Sequence, residues 1–309
     1  MARQITNQIC MVRPVSFYFN QETAANDFYQ HNLGEKRDIV QAKALIEFDN
    51  MVALLESKGI TVHVLQDDNQ LCETPDSIFP NNWFVSQEGG KLALCPMFAH
   101  DRRTERIKFL GRLIESIGLA HVELTNYTQY EEKNQFLEGT GAMVLDRVNR
   151  KAYCCLSVRA DETLFRQFCA DNDFKPVAFH AFQTYQNRRA AIYHTNVMMG
   201  LGEKFAVICL SSIDDPAERA MVVKELEENG KEIIDVSEEQ INHFAGNEIE
   251  LEGTGGKRFT VMTKATYDCL TAEQRAIIEK SSEIISPDVK TIETYGGGSV
   301  RCMISELFI

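Results

Sequence analysis

The sequence predicts an α/β fold built from five copies of one αβ unit, forming a single domain over residues 1–309. Two observations predict it. A helix-shaped segment that ends near Gly, Asn or Pro and runs into a short β-rich stretch recurs five times. Those stretches end near 66, 125, 179, 236 and 294, a period of 54–59 residues. The pentapeptide LEGTG occurs at 137–141 and again at 251–255, 114 residues apart, which is twice 57.

The units follow in order. ALLESKGITVHVLQ predicts a helix leading to a strand at 61–66. RLIESIGLAHVELT predicts the next strand at 121–125. FRQFCADNDFKPVAFHAF places one at 176–179, VKELEENGKEIIDVS at 232–236, and AIIEKSSEIISPDVKTIET at 289–294. In each, apolar residues recur at helical spacing, Gly, Asn or Pro stands near the helix end, and a β-branched stretch follows. No Pro/Gly/Ser-rich linker interrupts the series.

Composition narrows the function. Lys plus Arg total 32 and Asp plus Glu 45, a net charge of -13. Phosphate backbones need a basic surface, so a general nucleic-acid partner is not expected. No apolar run approaches the ~18 residues of a membrane span. The first residues carry no apolar signal-peptide core, so a cytoplasmic protein without membrane attachment is expected. The nine cysteines include no CxxC pair, which argues against a zinc ribbon and against a disulfide framework. Most should be small buried apolar groups, and one is a candidate nucleophile.

The reactive residue types stand just after the repeat strands: Asp76 in ETPDSIFPNNWFVS, Glu138 in NQFLEGTGAMVL, His194 in RRAAIYHTNVMMGL, Asn247 or Glu252 in AGNEIELEGTG, and Cys302 in GGGSVRCMISEL. Glu138 and His194 are 56 residues apart, and His194 and Cys302 108, about two periods. If the units surround one axis, a carboxylate, an imidazole and a thiol converge on it, the set that cysteine-based nucleophilic catalysis needs.

With PDSIFPNNW, LEGTG, HTN and GGGSVRC in this order, the chain resembles the pentein superfamily of guanidine-modifying enzymes. It is most similar to amidinotransferase-like proteins of the citrulline-utilisation hydrolase type. The resemblance implies a five-bladed pseudo-symmetric αβ propeller with the site in its central channel. It implies Cys302 as nucleophile, His194 as general acid and base, Glu138 against the reacting nitrogens, and Asp76 at the pocket border. It also implies Arg102 and Arg159 as partners of an amino-acid substrate's α-carboxylate, a role that suits Arg's planar fork. No metal or organic cofactor is implied. A small amino-acid substrate is the expected partner, and a homodimer is compatible with this size and charge.

Two positions depart from the family pattern. Its acidic residue near the end of the first motif falls at Asn82, and the Asp of its His-x-Asp falls at Asn196. A guanidinium about 4 Å from a carboxylate gains roughly 4 kcal/mol at an effective dielectric near 20, so two lost partners would weaken a cationic substrate. A ureido group is neutral and carries a carbonyl acceptor and N–H donors, which a side-chain amide can match on either side. Citrulline hydrolysis to ornithine, ammonia and carbon dioxide is therefore expected. The alternatives are a deiminase or dimethylaminohydrolase of a guanidino substrate, an amidinotransferase with a second amine substrate, and a non-catalytic ribosome-binding factor, which needs no Cys–His–Glu set.

Overall fold

The structure, a computed structural model, describes residues 2–118 and 121–309. The predicted strand at 121–125 adjoins Leu119 and Ala120, which lie outside the described residues.

Five three-stranded sheets share one internal order. In the first, Phe84–Gln87 pairs antiparallel with Lys91–Leu94, which pairs parallel with Glu123–Asn126. Met143–Asp146, Lys151–Cys155 and Lys175–Phe179 repeat this order. So do Met199–Leu201, Phe205–Ile208 and Glu232–Asp235, and Ile249–Glu252, Arg258–Val261 and Glu283–Ile285. The fifth sheet joins the two ends of the chain: Ser305–Glu306 pairs antiparallel with Gln8–Arg13, which pairs parallel with Thr61–Gln66. A parallel pair needs a crossover, which a helix usually provides. The helices Arg37–Ser57, Glu105–Ile117, Glu162–Asp171, Pro216–Glu227 and Ala272–Glu279 fill those five connections. Arg37–Ser57 shows why such segments fold. Val40, Ala44, Phe48, Met51 and Leu55 recur every three or four residues, and all are buried.

The mixed α/β prediction holds, and the first four predicted strands lie within a residue or two of observed ones. The fifth does not. The strand is Glu283–Ile285, and Lys290–Gly296 is a helix. Its β-branched stretch reads as a strand, yet Ile292 and Tyr295, three apart, bury one helical face. Gly297, at φ 66°, ends the helix. The LEGTG repeat also has no structural counterpart. The first copy precedes its sheet's first strand, whereas the second forms the end of the strand Ile249–Glu252 and the turn after it.

What does repeat is the turn in front of each sheet's first strand. Four of these turns are one short helical turn, Pro80–Asn82, Gly139–Ala142, Thr195–Met198 and Val300–Met303; the remaining one, at residues 246–248, is not helical, and its Asn247 N–H donates to the Phe244 carbonyl at 2.8 Å. They touch in a closed circuit. Thr140 Oγ1 donates to the Asn81 carbonyl at 3.4 Å, and Thr195 Oγ1 to the Ala142 carbonyl at 2.5 Å. Asn247 Nδ2 donates to the Asn196 carbonyl at 3.0 Å, and the Arg301 N–H to Asn247 Oδ1 at 3.0 Å. Gly298 lies against the Phe79 ring and closes the circuit. Gly139 is needed here, because its φ is +47° and a Cβ would strike the Asn81 carbonyl.

The C-terminal strand is the clasp. Leu307 is fully buried, its N–H donates to the Gln8 carbonyl at 2.9 Å, and its carbonyl accepts from Thr6 Oγ1 at 2.8 Å. Leu307→Ala should lower the unfolding free energy by about 2–5 kcal/mol, the range for Leu-to-Ala cavities, as read from urea unfolding midpoints.

Candidate active site

The circuit of turns brings Asn82, Glu138, His194, Asn247 and Cys302 together at intervals of 56, 56, 53 and 55 residues. Asn82, His194 and Cys302 line one cavity with Thr23, Asp27, Gln30, Asp76, Phe79, Arg102, Arg159, Tyr193 and the three glycines 296–298. Its volume is about 20 Å³, close to the room one water needs.

His194 precedes Thr195–Met198 in extended backbone, and its Nε2 lies 2.7 Å from Glu138 Oε2. Glu138 Oε1 accepts the Phe98 N–H at 2.8 Å, and the Arg159 guanidinium stands 3.6 Å from Oε2. Burial alone would push the Glu138 carboxyl up. Arg159, His194 and Arg102 outweigh it and hold the group at about 2. Burial drives the His194 imidazole down to about 4, with Arg159 and Arg102 acting the same way and Glu138 opposing them. At neutral pH the pair is therefore a carboxylate and a neutral imidazole, with its Nε2–H toward Glu138 and Nδ1 free to accept a proton.

Cys302 is 6% exposed. Its Sγ accepts from Asn196 Nδ2 and Asn247 Nδ2, both at 3.3 Å. Burial pushes the thiol up, while Asn247, the Ser299 backbone, Asn196 and Arg301 act against that rise. The Asn247 orientation is decided by chemistry: its oxygen faces the Arg301 N–H, so its NH₂ faces the sulfur. The other eight cysteines are free thiols away from this cavity, six of them buried and two half-buried.

Arg102 lies differently from a carboxylate clamp. Its Nε and Nη2 bond Glu105 at 2.8 and 3.0 Å, Nη2 also reaches the Phe79 carbonyl at 2.8 Å, and Nη1 bonds Asn82 Oδ1 at 2.5 Å. Burial disfavours the Arg102 charge, but Glu105 and Asp76 more than offset that and keep it cationic. Its fork is thus taken by Glu105. Arg159 donates from Nε to Asn26 Oδ1 at 2.7 Å and from Nη2 to the Thr23 carbonyl at 2.8 Å. Its side-on edge faces acceptors of the 20–30 segment and stacks on Tyr193.

Asp76 Oδ2 accepts from Asn20 and Thr23, both at 2.9 Å, and burial raises its carboxyl despite Arg102. Among the described residues several buried polar atoms have no partner: Asp76 Oδ1, Gln30 Oε1 and Asn82 Nδ2 at the cavity, and Asn196 Oδ1 on the residue that bonds the sulfur. Glu252 is half-buried on the strand Ile249–Glu252, and its N–H donates to the Thr6 carbonyl. Of the two residues left open in that unit, Asn247 is the one at the sulfur.

Sequence reading missed the 20–30 segment, which supplies Thr23, Asp27 and Gln30. A short polar stretch with one four-residue helix, Gln21–Ala24, carries no periodic signal that separates it from an exposed loop. Asp27 is buried, and its carboxyl is pushed up to about 6 by that burial.

Over residues 13–309 the chain matches the family described as N,N dimethylarginine dimethylhydrolase, eukaryotic. The chain belongs to this family, within the pentein superfamily. No curated protein matches this pentein by sequence. Among solved structures it is similar to the N-terminal domain of ArgZ, an arginine dihydrolase of cyanobacteria, in a Cys-to-Ser mutant bound to substrate. The identity is 14% and the TM-score 0.73, over 98% of this chain and 99% of that one. Against intact ArgZ the pentein spans 40% of the longer chain, at a TM-score of 0.73. It is also similar to DDAH from Pseudomonas aeruginosa, in a Cys-to-Ser mutant complexed with citrulline. There the identity is 15% and the TM-score 0.63, over 98% and 99% of the two chains. These likenesses show the fold.

His194 and Glu138 both bind fewer protons folded than unfolded. Their contribution to stability is full above pH 6.5 and is lost as pH falls through about 4 and then about 2. The His194 ring should titrate by NMR with a midpoint near 4. In Glu138→Gln, which removes the anion favouring the imidazolium, that midpoint should fall further.

Proposed function

We propose that this pentein is a cysteine-dependent hydrolase of a non-peptide C–N bond, with the ureido group of citrulline as substrate. Its five sheets are then the blades of a pseudo-symmetric αβ propeller, with the catalytic cavity at the hub. The carrying observation is Asn82. Arg102 can only donate, so Asn82 turns its oxygen to Arg102 and leaves its NH₂ unpartnered beside His194 Nδ1. A buried orphan donor wants an acceptor. A ureido carbonyl supplies one; a guanidinium, which only donates, does not. The orphan acceptors Asp76 Oδ1, Gln30 Oε1 and Asn196 Oδ1 suit the ureido and α-amino N–H groups.

The reaction follows from the resting charges. Cys302 gives its proton to neutral His194 as sulfur bonds the ureido carbon, and the two amide N–H donors stabilise the developing thiolate. Asn82 stabilises charge on the carbonyl oxygen. The imidazolium, held by Glu138, protonates the departing nitrogen, and a carbamoyl group stays on sulfur. Neutral His194 then takes a proton from water as it attacks that carbon, the C–S bond breaks with the proton returning from His194 to sulfur, and the released carbamate splits its remaining C–N bond into ammonia and carbon dioxide. One citrulline and one water give one ornithine, one ammonia and one carbon dioxide. The substrate α-carboxylate would replace Thr23 and Asn26 on the Arg159 edge, so the 20–30 segment must move for substrate to enter a cavity of about 20 Å³.

A second reading, dihydrolysis of arginine, is favoured by the carboxylates of Asp27, Asp76 and Glu138 around the site. ArgZ is itself an arginine dihydrolase. For that protein, an Asn-to-Ser mutant is covalently bonded to a reaction intermediate, which supports a covalent route here.

The test follows ornithine and ammonia from citrulline and from arginine separately. Citrulline alone as substrate, with a one-to-one yield, supports the first reading. Two ammonia per ornithine from arginine supports the second. Cys302→Ala should abolish both. Asn82→Asp should lower kcat/KM for citrulline by about 10–100-fold, the scale of losing a hydrogen bond to a developing charge.

A further inference from the structure

A second cavity lies behind the nucleophile. Asn247 faces the Cys302 sulfur, whereas its neighbour Glu248 lines a different cavity of about 20 Å³ with Gln4, Gly200, Glu250, Arg301 and Glu306. Glu248 is 2% exposed, and among the described residues neither of its carboxylate oxygens has a hydrogen-bond partner. Glu250 Oε2 accepts the Glu203 N–H at 2.6 Å, but its Oε1 has none. The nearby cation does not answer them, because Arg301 is engaged with the Ile304 carbonyl at 2.9 Å and with Glu306 at 2.7 Å. Arg147, 3.8 Å from Glu306, and Lys231, 3.6 Å from Asp146, also face other carboxylates. Gly200 shapes the wall, since a Cβ there would overlap the Glu248 carboxylate.

We propose that this cavity binds one ammonium ion, held by the carboxylates of Glu248 and Glu250. Three buried orphan acceptors surround a space of one water's size, so the occupant must be small and a donor on several sides. Water could donate only two hydrogen bonds to these three oxygens. Burial pushes the Glu248 carboxyl up to about 8 and raises that of Glu250, so near neutral pH Glu248 holds a proton that a bound cation would displace. Among the described residues no group of three His, Cys, Asp or Glu has a metal-binding arrangement, and a potassium ion would want more oxygens than these three. Ammonium brings four N–H donors and a positive charge. It is also the ion the proposed hydrolysis releases, so the assignment of a role in product release rests on that reading, but the binding itself does not.

The test reads thermal unfolding of the full chain without substrate, in ammonium, potassium and sodium chloride at equal ionic strength. Ammonium should raise Tm by about 2–4 °C over sodium. Glu248→Gln, isosteric and needing no counter-ion, should fold and lose that difference. Gly200→Ala, which displaces the carboxylate, should lose it as well. An equal rise in all three salts would overturn the proposal, as would an ammonium response that survives in Glu248→Gln. An equal response to potassium would overturn the assignment to ammonium. Turnover enters none of these measurements, so their outcome stands apart from that of the citrulline assay.

Discussion

The circuit of turns at the centre is the constraint on which the rest depends. Each turn is joined to the next by a buried contact, and each sheet's first strand starts from its turn. The turn's position before the first strand is therefore what every unit keeps, while its form differs in one unit and the outer strands and helices vary in length. A residue placed on one turn is automatically beside residues on two others, although about 55 positions separate them in the chain. That is how Glu138, His194 and Cys302, each on its own unit, come to share one small space. It also explains the clasp formed by the two chain ends: the fifth turn, which bears Cys302, is held in place by a sheet whose strands come from both termini.

Burial at this centre turns ordinary side chains into a matched set. Glu138 stays ionised because Arg159 and His194 outweigh its desolvation, and His194 stays neutral because its own desolvation outweighs Glu138. A carboxylate and a neutral imidazole 2.7 Å apart are thus both in their resting forms at neutral pH. The thiol is in the same position, with burial as its largest influence. No full ionic pair is stored between sulfur and imidazole; in the proposed reaction the proton would move when substrate arrives, and the donors from Asn196 and Asn247 are already aimed at the sulfur where negative charge would appear. Preformed donors at a site of developing charge need no reorganisation during the reaction.

Much of this was legible in the sequence, for identifiable reasons. Helices such as Arg37–Ser57 carry apolar residues at helical spacing, and a period near 56 shows through because every unit has the same parts. The fifth strand was misplaced because β-branched content outweighed the Gly-rich stop in that stretch, whereas the fold settles it by burying Ile292 and Tyr295 together. LEGTG was misleading in a different way: its two copies agree in letters and in spacing, yet one leads into a strand and the other ends one. The 20–30 segment left no trace, since burial of Thr23, Asp27 and Gln30 is a property of what lies over the cavity and not of their own spacing.

The two amide positions read as departures from an acidic pattern also acquire distinct tasks once orientation is considered. Asn82 is held by a group that can only donate, so its NH₂ is presented to the site; a carboxylate there would present only acceptors and would pair with Arg102 as an ion. Asn196 donates to sulfur, which an aspartate at that position could not do in its ionised form. In the proposed reaction the same substitution of amide for acid would act at both ends of the attack. At one end it supplies a donor for the electrophile's oxygen, and at the other a donor for the nucleophile. Both changes remove negative charge next to atoms that become more negative in the transition state, which is the direction that favours a neutral electrophile over a cationic one.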